Sequence, residues 1–153
     1  MLFRSKEQAS YCDSTPESNI TFLADTANGM RIFVSKTLSS PTAFLAQNSS
    51  ALNSFAGLIS DIADIYNLPR KALHIFSDDA GGTIAFNSNG SIFCNFRFFA
   101  QLHQRKMVSG EGRVEAASYW WVVIAHELAH NLVKAHSAEH SFYTYVFPFF
   151  PRF

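Results

Sequence analysis

Residues 124–143 constrain the fold more than any other stretch, because they hold four of the six histidines around one H-E-x-x-H motif. The motif consists of His126, Glu127 and His130. On an α-helix, a step of four residues returns to nearly the same face one turn further along. The two imidazoles therefore project together and are close enough to bind a single ion.

Glu127 follows His126 directly and projects from a neighbouring face of the same helix. From there a carboxylate can reach a water on the metal without being a ligand, which is where metallopeptidases place their general base. The preceding residues 119–125 read Y-W-W-V-V-I-A and indicate a buried helix that runs into the motif. The alternative is a helix whose two histidines only cap a core or face solvent, but it leaves His136 and His140 unexplained.

A catalytic zinc site needs three protein ligands and one open position, so the motif requires a third ligand. The candidates are His136, Glu139 and His140. The spacing favours His136, because it matches the third histidine of the metzincin pattern H-E-x-x-H-x-x-G-x-x-H. On a continuous helix His136 would lie roughly 9 Å beyond His130 along the axis, so the chain must turn between them.

The residues of this turn differ from the metzincin pattern. Val133 occupies the position of the metzincin glycine and disfavours positive φ, so Asn131 is predicted to be the left-handed residue. A metzincin also has a methionine turn after its third histidine. The methionines of this chain all lie upstream, at Met1, Met30 and Met107. These differences argue against a standard metzincin.

The whole chain has the size and composition of one globular domain. Its 153 residues can bury a core, and its zero net charge and pI near 7.0 provide no basic surface for nucleic acid. Cys12 and Cys94 form no C-x-x-C pair, which favours free thiols in a reducing compartment. We find no apolar N-terminal leader and no apolar stretch of about 18 residues, so we expect a cytoplasmic protein with no membrane partner.

The hydrophobic pattern predicts an α+β domain at residues 29–143, after a loosely ordered lead-in at 1–28 and before an apolar irregular tail at 144–153. Ser40 and Pro41 open the helical region, with a break near Asn48. The predicted elements are a short strand at 20–23, a strand at 30–34, a helix at 50–67, a strand at 73–76, a hairpin at 83–96, a short helix within 96–107 and the motif helix at 114–133.

This order of elements indicates a small sheet backed by two helices. An edge strand of that sheet would lie beside the motif helix, where it can accept an extended peptide as one more strand. Either strand of the hairpin at 83–96, with Asn89-Gly90 in its turn, fits this position.

Four segments carry a resemblance to a known family: L-H-I-F, G-G-T-I-A-F-N-S-N-G-S-I-F-C-N-F-R-F-F, Y-W-W-V-V-I-A-H-E-L-A-H-N-L-V and H-S-A-E-H-S-F-Y. They resemble the C-terminal region of very large sacsin-like proteins, which also carry a histidine-kinase-like, ATP-binding region. The resemblance covers about residues 68–143. It implies a zincin-like fold, with a small mixed sheet, a long backing helix and an HExxH active-site helix. The chain is too short for the ATPase region, and its Phe-rich ending suggests a truncated copy.

We therefore expect a zinc-dependent metallopeptidase that acts on a peptide or protein substrate. Zn²⁺ would bind His126, His130 and His136, and Glu127 would act as the general base on the attacking water. The alternative is a catalytically degenerate metal-binding or protein-interaction domain derived from a larger chaperone-like protein, which the apolar tail and the missing methionine turn favour. A metal hydrolase with a non-peptide substrate is a third interpretation.

Overall fold

A computed structural model describes residues 19–132 of the chain. This part is mixed α and β, as the hydrophobic pattern predicts. Its elements are β1 (Ile20–Asp25), β2 (Arg31–Ser35), α1 (Pro41–Ile65), a 3₁₀ turn (Arg70–Ala72), β3 (Leu73–Ser77), β4 (Ala85–Ser88), β5 (Ser91–Asn95), α2 (Phe96–Leu102), α3 (Gln104–Val108) and α4 (Arg113–Ala129).

The strands form one mixed sheet in the order β1-β2-β3-β5-β4. Strands β2, β3 and β5 are parallel, and the two outer strands β1 and β4 are antiparallel to their neighbours. Between β4 and β5, Asn89 and Gly90 have positive φ values of 50° and 86°. Such a two-residue turn matches the twist of a hairpin, and the predicted hairpin is confirmed.

Strand β1 lies inside the stretch predicted to be a lead-in. It pairs with β2 from Ile20 opposite Ser35 to Asp25 opposite Arg31. The short strand predicted at residues 20–23 is therefore present and extends to Asp25. The sheet consequently includes residues that precede the predicted domain boundary at residue 29, because pairing with β2 stabilises a strand whose own sequence is a weak signal.

Helix α1 begins at Pro41, as predicted, but runs without interruption to Ile65. The predicted break near Asn48 is wrong, because the Asn48 side chain donates to the carbonyl of Phe44 one turn earlier, at 2.8 Å. The side chain thus bonds within the helix instead of opening it. The helix is followed by Asn67 in the left-handed region, with φ of 56°.

The main core lies between one face of the sheet and helices α1, α2 and α4. Phe55 of α1 is at its centre: its ring stacks on Phe99 with centroids 4.6 Å apart and contacts Trp120 at 4.7 Å. All three side chains are fully buried. Aromatic packing of this kind holds α1, α2 and α4 against the same face of the sheet.

The other face of the sheet is aromatic. Side chains alternate along a strand, so Phe76 and Phe93 point away from the core that Ile75 and Cys94 enter. Phe86 stacks on Phe93 with centroids 4.6 Å apart. This second cluster is built from strand residues, which are Ile20, Phe33, Phe76, Phe86 and Phe93.

Helices α2 and α3 connect β5 to α4, where the sequence predicts a single short helix. Asn95 caps α2 by accepting from the backbone N–H of Arg97 at 3.0 Å. His103 separates α2 from α3. Across residues 19–132, no helix combines the length and apolar character that crossing a membrane requires.

Candidate functional site

The motif lies at the carboxyl end of α4. His126 and Glu127 belong to its last turn, and His130 is the first residue after the helix, with φ of −66° and ψ of −19°. The helix ends four residues earlier than the predicted limit at residue 133. Because His130 keeps helical dihedral angles, it still lies on the same face as His126.

The apolar stretch before the motif is buried on one side only. Trp120, Ile124 and Ala125 are buried in the main core, whereas Val122 is 56% exposed. The prediction of a buried helix therefore applies to the face that packs on α1 and the sheet. That packing holds the helix rigidly up to the motif.

The imidazoles of His126 and His130 meet edge to face, with ring centroids 5.2 Å apart. Two imidazoles on one tetrahedral zinc, with Zn–N bonds of about 2.0–2.1 Å, have ring centres roughly 5 Å apart. The observed separation fits this arrangement, and imidazole nitrogen is a ligand that suits zinc. Both rings are half-buried, so they lie at the surface of the packed helix.

Glu127 has different surroundings from the two histidines, with only 2% of its surface exposed. Burial raises the pKa of the Cys94 thiol on β5, and the nearby Glu127 carboxylate raises it further. Glu127 therefore lies between α4 and the sheet, one helical position away from the imidazoles.

Strand β4 is the edge strand beside the motif helix, which settles the choice between the two hairpin strands. Asn87 of β4 donates through Nδ2 to the carbonyl of Glu127 at 2.9 Å and to Oδ1 of Asn131 at 2.8 Å. Its own Oδ1 accepts from the backbone N–H of Gly90 at 3.1 Å. Asn87 was not among the predicted site residues, because in N-S-N-G it has the appearance of an ordinary turn residue.

The backbone after α4 continues as a 3₁₀-type turn and does not reverse direction at residues 130–132. The N–H groups of His130, Asn131 and Leu132 each bond to a carbonyl three residues earlier, at 3.0–3.1 Å. Among residues 19–132, positive φ outside glycine occurs only at Asn67 and Asn89. The prediction of a left-handed Asn131 is therefore wrong: its side chain bonds to Asn87, and its backbone continues the helical turn.

The proposed third ligands, His136, Glu139 and His140, lie outside the described residues, as does Val133. Within residues 19–132, no group of three or more His, Cys, Asp or Glu side chains could hold a metal ion. From this part of the chain, His126 and His130 come together and are the residues that could ligate a metal.

The remaining described histidines lie away from the motif and are packed among aromatic rings. His74 contacts Phe93 at 4.8 Å, and burial lowers its pKa, with a smaller contribution from Arg31. His103 contacts Tyr119 at 5.0 Å, and burial lowers its pKa too. A lowered pKa keeps an imidazole neutral, as core packing requires.

A second polar cluster lies at the carboxyl ends of β3 and β5. Asp78 accepts from Nε of Arg97 at 2.9 Å and from Nδ2 of Asn95 at 2.9 Å. These groups border a cavity of about 350 Å³, which is lined by Leu38, Phe44, Ser77, Asp78, Asp79, Phe96, Arg97, Ala100 and Gln101. The cluster contains none of the predicted site residues. The charges of Asp78 and Arg97 cancel within their own ion pair.

No protein-family model, curated protein or solved structure matches this chain. Fold and site define an α+β protein with a five-stranded mixed sheet and an H-E-x-x-H sequence where α4 ends, beside the edge strand β4. The functional assignment consequently depends on the geometry of the site and on the chemistry of its side chains.

Proposed function

We propose that the chain is a zinc-dependent metallopeptidase domain with a zincin-like fold. The observation that carries the proposal is the pair of half-buried imidazoles, His126 and His130, whose ring centroids are 5.2 Å apart. The pair follows a helix that is held in the core and lies beside the edge of a sheet.

The arrangement of the sheet supports the zincin-like assignment. The long helix α1 backs a small mixed sheet, and the antiparallel edge strand β4 bonds to α4 through Asn87. Three of the four segments that resemble sacsin-like proteins overlap β3, the β4–β5 hairpin and α4, and the fourth, at residues 136–143, lies outside the described residues. We propose on this basis that the chain is related to the C-terminal region of that family, as a cytoplasmic protein.

His126 and His130 are the proposed metal ligands in the described part of the chain. The proposed third ligand is His136, with His140 and Glu139 as alternatives. Zinc bound there supplies Lewis-acid catalysis, polarising a peptide carbonyl and making a water acidic near neutral pH.

Glu127 acts as the general base and then as the general acid. Its carboxylate takes a proton from the attacking water and passes that proton to the leaving amine. Its position between α4 and the sheet, 2% exposed, keeps it out of bulk solvent, where charges are strongly screened. Among residues 19–132, β4 pairs with β5 on one side only, and an extended peptide could pair with its other side as an added strand.

The proposal is tested by changing Glu127 to Gln, which removes the base and keeps the shape of the side chain. We expect the variant to retain its zinc and to lose at least about a hundredfold of its peptide cleavage, as loss of general-base catalysis predicts. The matched control is Glu111→Gln, which removes an exposed carboxylate from the loop before α4. Cleavage of a peptide library at the wild-type rate by Glu127→Gln contradicts the role of Glu127.

The second candidate function is a catalytically degenerate metal-binding or protein-interaction domain of chaperone-like origin. It is favoured by the finding that residues 19–132 contribute only two imidazoles, without a third close ligand. This alternative predicts that zinc binds without hydrolysis or does not bind. Zinc-dependent cleavage of any peptide in the library excludes it.

A further inference from the structure

We infer that Asn87 is the positioning residue of the metal site, fixing the end of α4, and with it His126 and His130, to the edge strand. The role of Asn87 in zinc binding rests on the proposed function. The link between strand and helix is independent of that function, because its hydrogen bonds are present in the described part of the chain.

Asn87 bonds to one residue before His130 and to one after it, through the backbone carbonyl of Glu127 and the side chain of Asn131. One Nδ2 hydrogen reaches the carbonyl of Glu127 at 2.9 Å, and the other reaches Oδ1 of Asn131 at 2.8 Å. The Glu127 carbonyl already accepts from the N–H of His130 at 3.1 Å, and Asn87 donates a second hydrogen bond to the same oxygen. Asn87 thus ties the turn that carries the second histidine to the edge strand.

The orientation of the Asn87 amide is itself fixed. Its Oδ1 accepts from the N–H of Gly90 at 3.1 Å, so rotating the amide by 180° would lose this bond and the bond to the Glu127 carbonyl together. Its backbone lies opposite Ile92 in the β4–β5 ladder, and Ile92 is fully buried. The position of Asn87 is therefore set by the sheet and is transmitted to the helix end.

A metal site tolerates little movement of its ligands. Groups that orient ligands, without touching the metal, typically change metal affinity about 10–100-fold when removed. Asn87 contacts the residues that flank His130 and belongs to the strand on which a peptide would add. It thus keeps the histidines in fixed register with the proposed substrate strand.

Asn87→Asp tests this role with the smallest change of shape. The aspartate keeps the oxygen that accepts from Gly90 and loses both donors to α4. The matched control is Asn89→Asp in the same hairpin, at an exposed turn position whose left-handed backbone Asp tolerates. Both variants add one negative charge, which attracts Zn²⁺, so weaker binding by Asn87→Asp cannot result from charge.

The first readout is the zinc affinity of the full chain, measured by competition with a chelator below the unfolding temperature. We expect Asn87→Asp to bind zinc about 10–100-fold more weakly than wild type, and Asn89→Asp to stay within about twofold. Equal affinity of the two variants overturns the inference even if the wild type binds zinc tightly.

The second readout needs no metal. In the zinc-free chain, amide hydrogen exchange at residues 130–132 should be roughly tenfold faster in Asn87→Asp than in Asn89→Asp, because the bond to the Glu127 carbonyl is lost. If the wild type binds no zinc, the proposed function fails, and the exchange rates alone decide whether Asn87 fixes the helix end. Unchanged exchange at residues 130–132 overturns that role.

Discussion

His103→Leu should stabilise the protein, because it removes a buried polar ring that lacks partners. His103 is 4% exposed, and neither ring nitrogen has a hydrogen-bond partner among the residues that the structure describes. A buried polar group without a partner costs about 1–3 kcal/mol, and leucine avoids that cost while filling similar space. The backbone bonds to Phe99 and Met107 are unaffected by the substitution.

The expected gain of about 1–3 kcal/mol in the free energy of unfolding is measured by urea denaturation at pH 7. For a chain of this size, each kcal/mol of added stability raises Tm by about 2–4 °C. The control is Gln104→Leu, which changes a half-buried neighbouring side chain and should shift stability by less than about 1 kcal/mol. If His103→Leu is instead destabilised by 1 kcal/mol or more, the imidazole has a stabilising partner and the reasoning is refuted.

The same residue should make stability depend on pH. Burial lowers the pKa of His103; Glu115 opposes this effect and Lys106 adds to it. The unfolded chain therefore binds a proton at a pH where the folded chain does not. Above about pH 6.5 the His103 ring is neutral in both states and does not make stability depend on pH. As the pH falls from there toward the lower folded pKa, the unfolded state gains a proton first and the free energy of unfolding declines. Urea denaturation between pH 7 and 5 should show a smaller decline in His103→Leu, with His74 accounting for part of the remainder.

Two further pairs of substitutions test the packing of the core and the buried polar contacts of Asp78. Phe55→Ala should lower the free energy of unfolding, measured by urea denaturation, by about 3–5 kcal/mol, because it leaves a cavity in the main core. The control is Phe22→Ala, at a side chain that is 52% exposed, which should lower it by less than about 1.5 kcal/mol. Asp78→Ala should cost about 1–3 kcal/mol, because Arg97 and Asn95 lose their shared acceptor. The exposed ion pair of Asp64 provides the comparison: Asp64→Ala should cost less than about 1 kcal/mol. Equal costs within either pair would contradict the assigned burial.

Local sequence signals predicted the elements that depend on local chemistry. The Asn89-Gly90 turn forms because both residues accept positive φ, and α1 begins at Pro41 because proline suits the first helical position. The four-residue spacing of His126 and His130 predicted a shared face, and their rings do meet. In each case the deciding interaction lies within a few residues along the chain.

The features that the sequence did not reveal depend on contacts between distant residues. Strand β1 is stabilised by pairing with β2, and β4 is the edge strand because β5 pairs with β3. Asn87 and Asn131, 44 positions apart, meet only after the hairpin packs beside α4. The backbone of Asn131 continues the helical turn through its N–H bond to the carbonyl of Leu128, and its side chain bonds to the neighbouring strand.

The most direct test of the central proposal is the zinc content of the purified full-length chain, measured beside His130→Ala and His136→Ala. The control is His74→Ala, which removes a histidine on the sheet away from the motif. We predict about one zinc per chain in the wild type and the control, as a single mononuclear site requires, and loss of zinc in both motif variants. Zinc lost with His130 but kept without His136 would move the third ligand to His140 or Glu139. A wild-type chain that binds no zinc when zinc is supplied would contradict the metal site and leave the interaction domain as the function to pursue.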